Sequence, residues 1–296
     1  MTDSVRTSLL TTAEAAVAGI PDGAVVGIGG AITAAHPMAL VRALIRRGVR
    51  DLTVVAPTAG LETDLLIAAG CVRKVCTSYV GAESAAPLGP AYRAGAEAGT
   101  LKIWDGDEAH LIFGLRAAAQ GLPFLPWHGG LGTALTELNP ELVEFDDPIE
   151  GRRLLAIPAL HLDYALIFAD VSDEYGNVQF EGTGYVDALV ASAARKVVVQ
   201  AERIVSNDVI RRAPERTRFW RDTAVVRAPW GTHPYSGAAL SADNDHLRRY
   251  AKAVQAATGG DRAPLEGYLR EFVLEPETHL DYLERVGIRR IAELTI

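Results

Sequence analysis

The chain has 296 residues, 49% of them hydrophobic and 22% charged, which is enough apolar material for one large core or two ordinary domains and excludes a disordered tail. Its 29 Lys and Arg stand against 37 Asp and Glu, a net charge of −8. That is the wrong sign for unspecific binding to a phosphate backbone, so nucleic acid is not an expected partner.

The predicted elements alternate from the first residues. An Ala-rich helix over 11–18, with Thr11 or Thr12 as its cap, precedes a short apolar strand over 24–27 that glycines interrupt. A helix over 37–47 follows, with Pro37 at a first helical position and Met38, Val41, Leu44 and Ile45 at helical spacing. The rhythm continues through a strand over 52–56, a helix over 61–69, a strand over 74–80, a helix over 91–98, a strand over 100–104 and a helix over 107–119. It resumes with strands over 164–169 and 177–180, a helix over 185–194 and a buried strand over 196–200. Regular β-α alternation implies an α/β fold, an open and mostly parallel sheet flanked by helices.

From about residue 242 the pattern becomes helical, with segments over 244–257, 264–273 and 276–286 that each begin near a capping residue or proline. The expected organisation is an α/β domain over 1–240 with a C-terminal helical appendage over 241–296 belonging to the same domain. There is no internal repeat and no low-complexity linker.

Two cysteines, Cys71 and Cys76, are too few for a disulfide scaffold and match no zinc spacing, so both are expected to be reduced and in or near the core. No apolar run approaches the roughly 18 to 20 residues of a membrane span, and the first twenty residues lack a signal peptide's hydrophobic stretch. A cytoplasmic protein without a membrane partner is expected.

Three segments carry chemistry. Gly27-Ile28-Gly29-Gly30 lies between a strand and a helix, where α/β proteins bring backbone close to a ligand. Ile32 stands in place of the third glycine of GxGxxG, so the cluster is either a tight turn or a ligand cradle. The second segment is Gly121-Leu-Pro-Phe-Leu-Pro-Trp-His-Gly-Gly-Leu-Gly-Thr133, whose glycines leave N–H groups free to face a ligand oxygen. Alternatively, Pro123 and Pro126 make it a rigid connector. The third, Ala169-Asp-Val-Ser-Asp-Glu-Tyr-Gly-Asn-Val-Gln-Phe-Glu-Gly-Thr183, reads as strand, polar turn and strand.

In this order and spacing, the three segments and Lys196-Val-Val-Val-Gln-Ala-Glu-Arg-Ile-Val205 resemble the α subunit of the family I coenzyme A-transferases, over roughly residues 22–206. The resemblance implies an open α/β fold and a homologous β subunit in an αβ or α2β2 assembly. It also implies an active site between the subunits and an acyl-CoA thioester as substrate, with no metal and no other cofactor. In ordinary members a β-subunit glutamate attacks the thioester, passes through an acyl anhydride and becomes a glutamyl-CoA thioester. On this chain the substrate-binding walls are then Gly27, Gly29, Gly30 and Ala31 on one side, and His128, Gly129, Gly130, Gly132 and Thr133 on the other. Their backbone supplies donors for a developing oxyanion.

The run 114–126 is similar to a branch of the family that hydrolyses a carbon–carbon bond in a cyclic CoA thioester during steroid-ring degradation and uses an α-subunit glutamate. That likeness makes Glu108, in the acidic turn Trp104-Asp-Gly-Asp-Glu108, the candidate catalytic base for activating water. Its alternative role is a solvated acid that stabilises the start of a helix by about 0.3 to 1 kcal/mol. A third class of reading is a non-catalytic acyl-CoA-binding subunit. Arg211, Arg212, Arg216, Arg218 and Arg221 form a basic run, either a solvated face or a contact for CoA phosphates. His161-Leu-Asp163 lacks a third ligand, and HExxH, CxxC and GxSxG are absent, so neither a metal site nor a serine hydrolase is expected.

Overall fold

The computed structural model describes residues 6–182, 184–220 and 224–296; Thr183 and Arg221 lie outside them. After β1 (Leu10–Thr11) comes α1 (Ala13–Val17), capped by Thr12, whose side chain accepts from the amide of Ala15. Strands β2 (Val25–Ile28), β3 (Leu52–Val55), β4 (Val72–Cys76) and β5 (Lys102–Trp104) then pair in parallel, joined by α2 (Met38–Arg46), α3 (Leu61–Ala68) and α4 (Pro90–Glu97). Cys71 and Cys76 are free thiols in the core.

The chain leaves this sheet through α5 (Glu108–Ala119) to β6 (Phe124–Trp127), α6 (Leu135–Leu138), β7 (Val143–Asp146) and β8 (Arg153–Pro158). The three strands form a small antiparallel sheet in the order β6-β8-β7. The predicted elements contain no counterpart to it, because the prolines of 121–133 read as a connector. Pro126 is accommodated since β6 is an edge strand, where a missing N–H leaves no ladder bond unmade.

β9 (Leu162–Ser172) then returns to the large sheet on the free side of β2. It is followed by β10 (Asn177–Gln179), α7 (Asp187–Ala193), β11 (Ala194–Ile204), α8 (Asn207–Arg211), β12 (Thr217–Trp220) and β13 (Val225–Arg227). The strand order is β1-β13-β11-β9-β2-β3-β4-β5, parallel along its length, with β10 antiparallel to the end of β9 and β12 antiparallel to β10. Apart from β1 at the outer edge, sequence runs outward in both directions from the β2/β9 boundary, which makes that boundary the topological switch point where open α/β sheets bind ligands. β9 and β11 pair up to Ser172 and Ile204, whereas β2 leaves β9 at Leu166. Residues 167–172 of β9 therefore stand beyond the end of β2.

Helices cover both faces. One core gathers Leu40, Leu44 and Leu66 with Tyr250, Phe272 and Tyr282; the other packs α5 and α7 on the sheet through Leu111, Leu115, Ile167 and Val190. The last segment contains α9 (Asn244–Thr258), α10 (Ala263–Leu269), a π-helical turn over Arg270–Leu274, α11 (His279–Val286) and α12 (Ile288–Leu294). These helices are bound to the sheet's covering layer: Tyr250 donates to buried Asp64 at 2.8 Å, and the Arg42 guanidinium lies 3.5 Å from the centre of the Tyr282 ring. Among the described residues no helix is long and apolar enough to cross a membrane.

Candidate active site

At the carboxyl edge of β2 and β9 the structure forms a hollow of about 230 Å³. Phe168 and Asp170 of the projecting part of β9 make its floor, with Phe180, Gly182 and Tyr185 on one flank. Ala34 and Ala35 face Ser236, Gly237 and Ala238 on the other. The two sides of that second flank are stitched by backbone: Ala35 N donates to Ser236 O at 2.8 Å, and Ser236 N to Thr33 O at 3.0 Å. Asp170 accepts the amide of Glu181 at 2.7 Å, and burial raises its pKa above the usual carboxylate range.

The glycines of 27–30 shape this edge by packing. A Cβ on Gly27 would stand 2.5 Å from Leu162 and 2.7 Å from Val190, and one on Gly29 would stand 1.9 Å from Oδ1 of Asp187. The glycines therefore let α7 lie directly on β2. Gly30, at φ +92°, then turns the chain. The donors of this turn are in use within the protein: Gly29 N reaches Leu166 O, Gly30 N reaches Asp187 Oδ1, and Ala31 N reaches Ala34 O, each at 2.9 Å. Gly27, Gly29, Gly30 and Ala31 thus hold the frame of the hollow, and the residues that face it are Ala34 and Ala35.

The second glycine segment lies elsewhere. Residues 128–133 do not line the hollow; they cap the end of the small sheet at the amino end of α5. The link is His110, which is buried. Its Nε2 donates to the carbonyl of Gly129 at 3.1 Å, while Nδ1 is 2.8 Å from Asp107, the residue that caps α5. Trp127 packs edge-on against His110 and stacks on Phe113, which folds β6 onto the helix. Thr133 Oγ1 donates to Gly130 O at 2.7 Å and closes the loop. The amides of Gly129, Gly130 and Gly132 find no acceptor among the described residues.

Glu108 is the first residue of α5, exposed and without a hydrogen-bond or ion-pair partner among the described residues. It stands two residues before the histidine that holds Gly129, so the fold brings it to the same helix end as the 128–133 loop. The structure therefore brings Glu108 to the end of α5 that holds the second glycine segment; neither lines the hollow beside the first, and α7 packs between that turn and α5.

Beside this loop the outer face of the small sheet is apolar. Phe124 and Pro126 on β6 pair with Pro158 and Ala156 on β8, and Ala156 pairs in turn with Val143 on β7. Phe124 is 40% and Val143 55% exposed. A contiguous exposed apolar face of this kind is the sort of surface that proteins use to bind a partner. Arg211 borders a separate dent with Arg6, Asn177, Asn207 and Thr217, while Arg212, Arg216 and Arg218 are exposed.

Sequence reasoning missed Asp187, Tyr185 and the wall at 236–238. Asp187 was hidden because it sits where an ordinary acidic first-turn residue belongs. Only the tertiary approach of α7 to Gly29 gives it a buried place.

Comparison with known proteins gives a consistent picture. The coenzyme A transferase family profile matches residues 10–219. An uncharacterised protein of Archaeoglobus fulgidus is 34% identical over 295 residues, covering 96% of this chain and 65% of that protein. The cholesterol ring-cleaving hydrolase IpdA subunit of Rhodococcus jostii is 36% identical over 253 residues, 81% of this chain and 85% of that one. One of the subunits of glutaconate CoA-transferase from Acidaminococcus fermentans is 28% identical over 307 residues, covering 97% and 94%. The crystal structure of that enzyme superposes with a TM-score of 0.91 over 98% of this chain and 96% of its own.

Proposed function

The chain belongs to the coenzyme A transferase family, and from that membership we propose that it works as the alpha subunit of an αβ or α2β2 enzyme acting on acyl-CoA. The reaction moves coenzyme A from a thioester to a carboxylic acid, at a site completed by a homologous beta subunit. The observation that carries this reading is the state of the 128–133 loop: three amides without an acceptor among the described residues, held to the amino end of α5 by His110 and bordered by an apolar sheet face. An oxyanion donor set is effective when water is kept out and the donors are held rigid. His110 and Thr133 supply the rigidity, and a second polypeptide lying over the loop supplies the exclusion. With a carboxylate from that polypeptide as nucleophile, the thioester carbonyl becomes tetrahedral and the CoA thiolate leaves; the thiolate then attacks the enzyme-side carbonyl of the resulting anhydride, releasing the donor acid and forming an enzyme-CoA thioester, and the acceptor carboxylate runs the same two steps in reverse to leave as its CoA thioester. An acyl-CoA substrate fits a place in the cytoplasm.

Glu108 favours a second reading, hydrolysis with water as the acceptor, because transfer has no need of a carboxylate on this chain beside the free amides. The likeness to a ring-cleaving hydrolase subunit supports the same reading. Assaying the purified complex with acyl-CoA, with and without an added carboxylic acid, separates the two. Transfer requires the acid for every turnover; consumption of the CoA substrate in its absence, whether to free CoA or to a ring-opened thioester, overturns transfer.

The apolar face gives a test of assembly. Phe124→Asp combined with Val143→Asp is expected to weaken binding of the beta subunit by at least about tenfold, since each charge would have to be desolvated in the interface. Analytical ultracentrifugation of the mixed subunits measures it. Unchanged association would move the interface elsewhere.

A further inference from the structure

We propose that Asp187 is a positioning residue, whose buried side chain clamps the 29–35 turn to α7 so that Ala34 and Ala35 stand as a fixed wall of the hollow. The proposal rests on the hollow being part of the site described above. Its geometry is direct. Oδ1 of Asp187 accepts the Gly30 amide at 2.9 Å, and the carboxyl group lies against Gly29 in space that not even a methyl group could share. The turn leads from there to the Ala31–Ala34 pair and on to Ser236. Asp187 is 1% exposed, and its Oδ2 has no hydrogen-bond partner among the described residues. α7 also packs against α5, so the same side chain fixes the turn relative to the helix that carries Glu108.

The clamp works through an uncharged acid. Burial is the main cause that pushes the carboxyl up to about 7, against the hydrogen bond from Gly30, and the field of Asp170 on β9 adds to it. Among the described residues no other charged group, from β2, α5, β11 or β12, acts on it. The pKa is raised relative to the unfolded chain. The clamp's contribution is therefore complete below about pH 4 and is lost as pH rises through about 7.

The test is amide exchange of residues 29–35 in the full chain, corrected for intrinsic rates, with kcat/KM of the assembled enzyme measured in parallel. Asp187→Ala is expected to speed exchange of this segment at pH 6 by at least about tenfold and to lower kcat/KM by a similar factor. Asp187→Asn, neutral and of the same shape, is expected to stay within about threefold of the parent on both counts. It should also abolish the acceleration that the parent shows between pH 6 and 8.5. If Asp187→Ala does not fold, the pH dependence of the parent against Asp187→Asn carries the test. Exchange in Asp187→Asn as fast as in Asp187→Ala, or a pH profile that the asparagine leaves unchanged, overturns the proposal. Exchange does not depend on turnover, so a complex inactive on acyl-CoA would count against the functional reading and leave the clamp standing.

Discussion

Glu108→Ala in the assembled enzyme is expected to lower hydrolysis of the CoA substrate by a factor of about 10² to 10⁴, the usual contribution of a general base. Transfer to an added carboxylate should stay within about threefold, because its nucleophile belongs to the partner. The side chain is exposed and contacts nothing that holds the fold together, so thermal unfolding of the variant should match that of the parent. The decisive measurement is kcat/KM for both acceptors across pH 5 to 9. Hydrolysis at the parental rate would remove Glu108 from the mechanism.

The second large effect is on stability. Gly29→Ala is expected to cost about 3 kcal/mol or more, because the new methyl would stand 1.9 Å from Asp187 Oδ1 and 3.0 Å from Ile167, and a close-packed interior has no cheap way to move either. Gly132→Ala serves as the comparison. Its φ of +72° imposes strain of about 1 to 2 kcal/mol, but nothing lies within 4 Å of the added atom. Urea unfolding of the two variants should rank them in that order. Combining Gly29→Ala with Asp187→Ala should recover part of the loss, a non-additivity expected of residues in direct contact. Equal costs for the two glycines would mean that α7 can lift from β2 without penalty.

The parallel sheet was legible because its signals are local. A proline beginning a helix before Met38, continuous apolar strands such as Leu52–Val55 and glycines closing each unit all point the same way. The small sheet was illegible for the opposite reason. Its first strand contains Pro126 and follows Pro123, a pattern that only an edge position tolerates, and edge position is a tertiary fact. Motif singled out the 128–133 loop and Glu108 separately, yet sequence spacing gave no hint that His110 would tie the helix carrying Glu108 to that loop. The expectation of two glycine loops facing one another failed to anticipate that the turn at 29–31 uses its own amides. Backbone donors look alike in a sequence, whether they are free or engaged.

The seam between the hollow's wall and α12 has a consequence for synthesis. Gly237 N donates to Leu240 O, Leu240 pairs with Thr295, and Ser241 N donates to Leu294 O at 2.8 Å. The residues that finish the wall are thus fastened by a stretch made well after them. A growing polypeptide on the ribosome can assemble β2 through β5 early, but the wall of the hollow is not fastened until Leu294 and Thr295 have emerged and found their places.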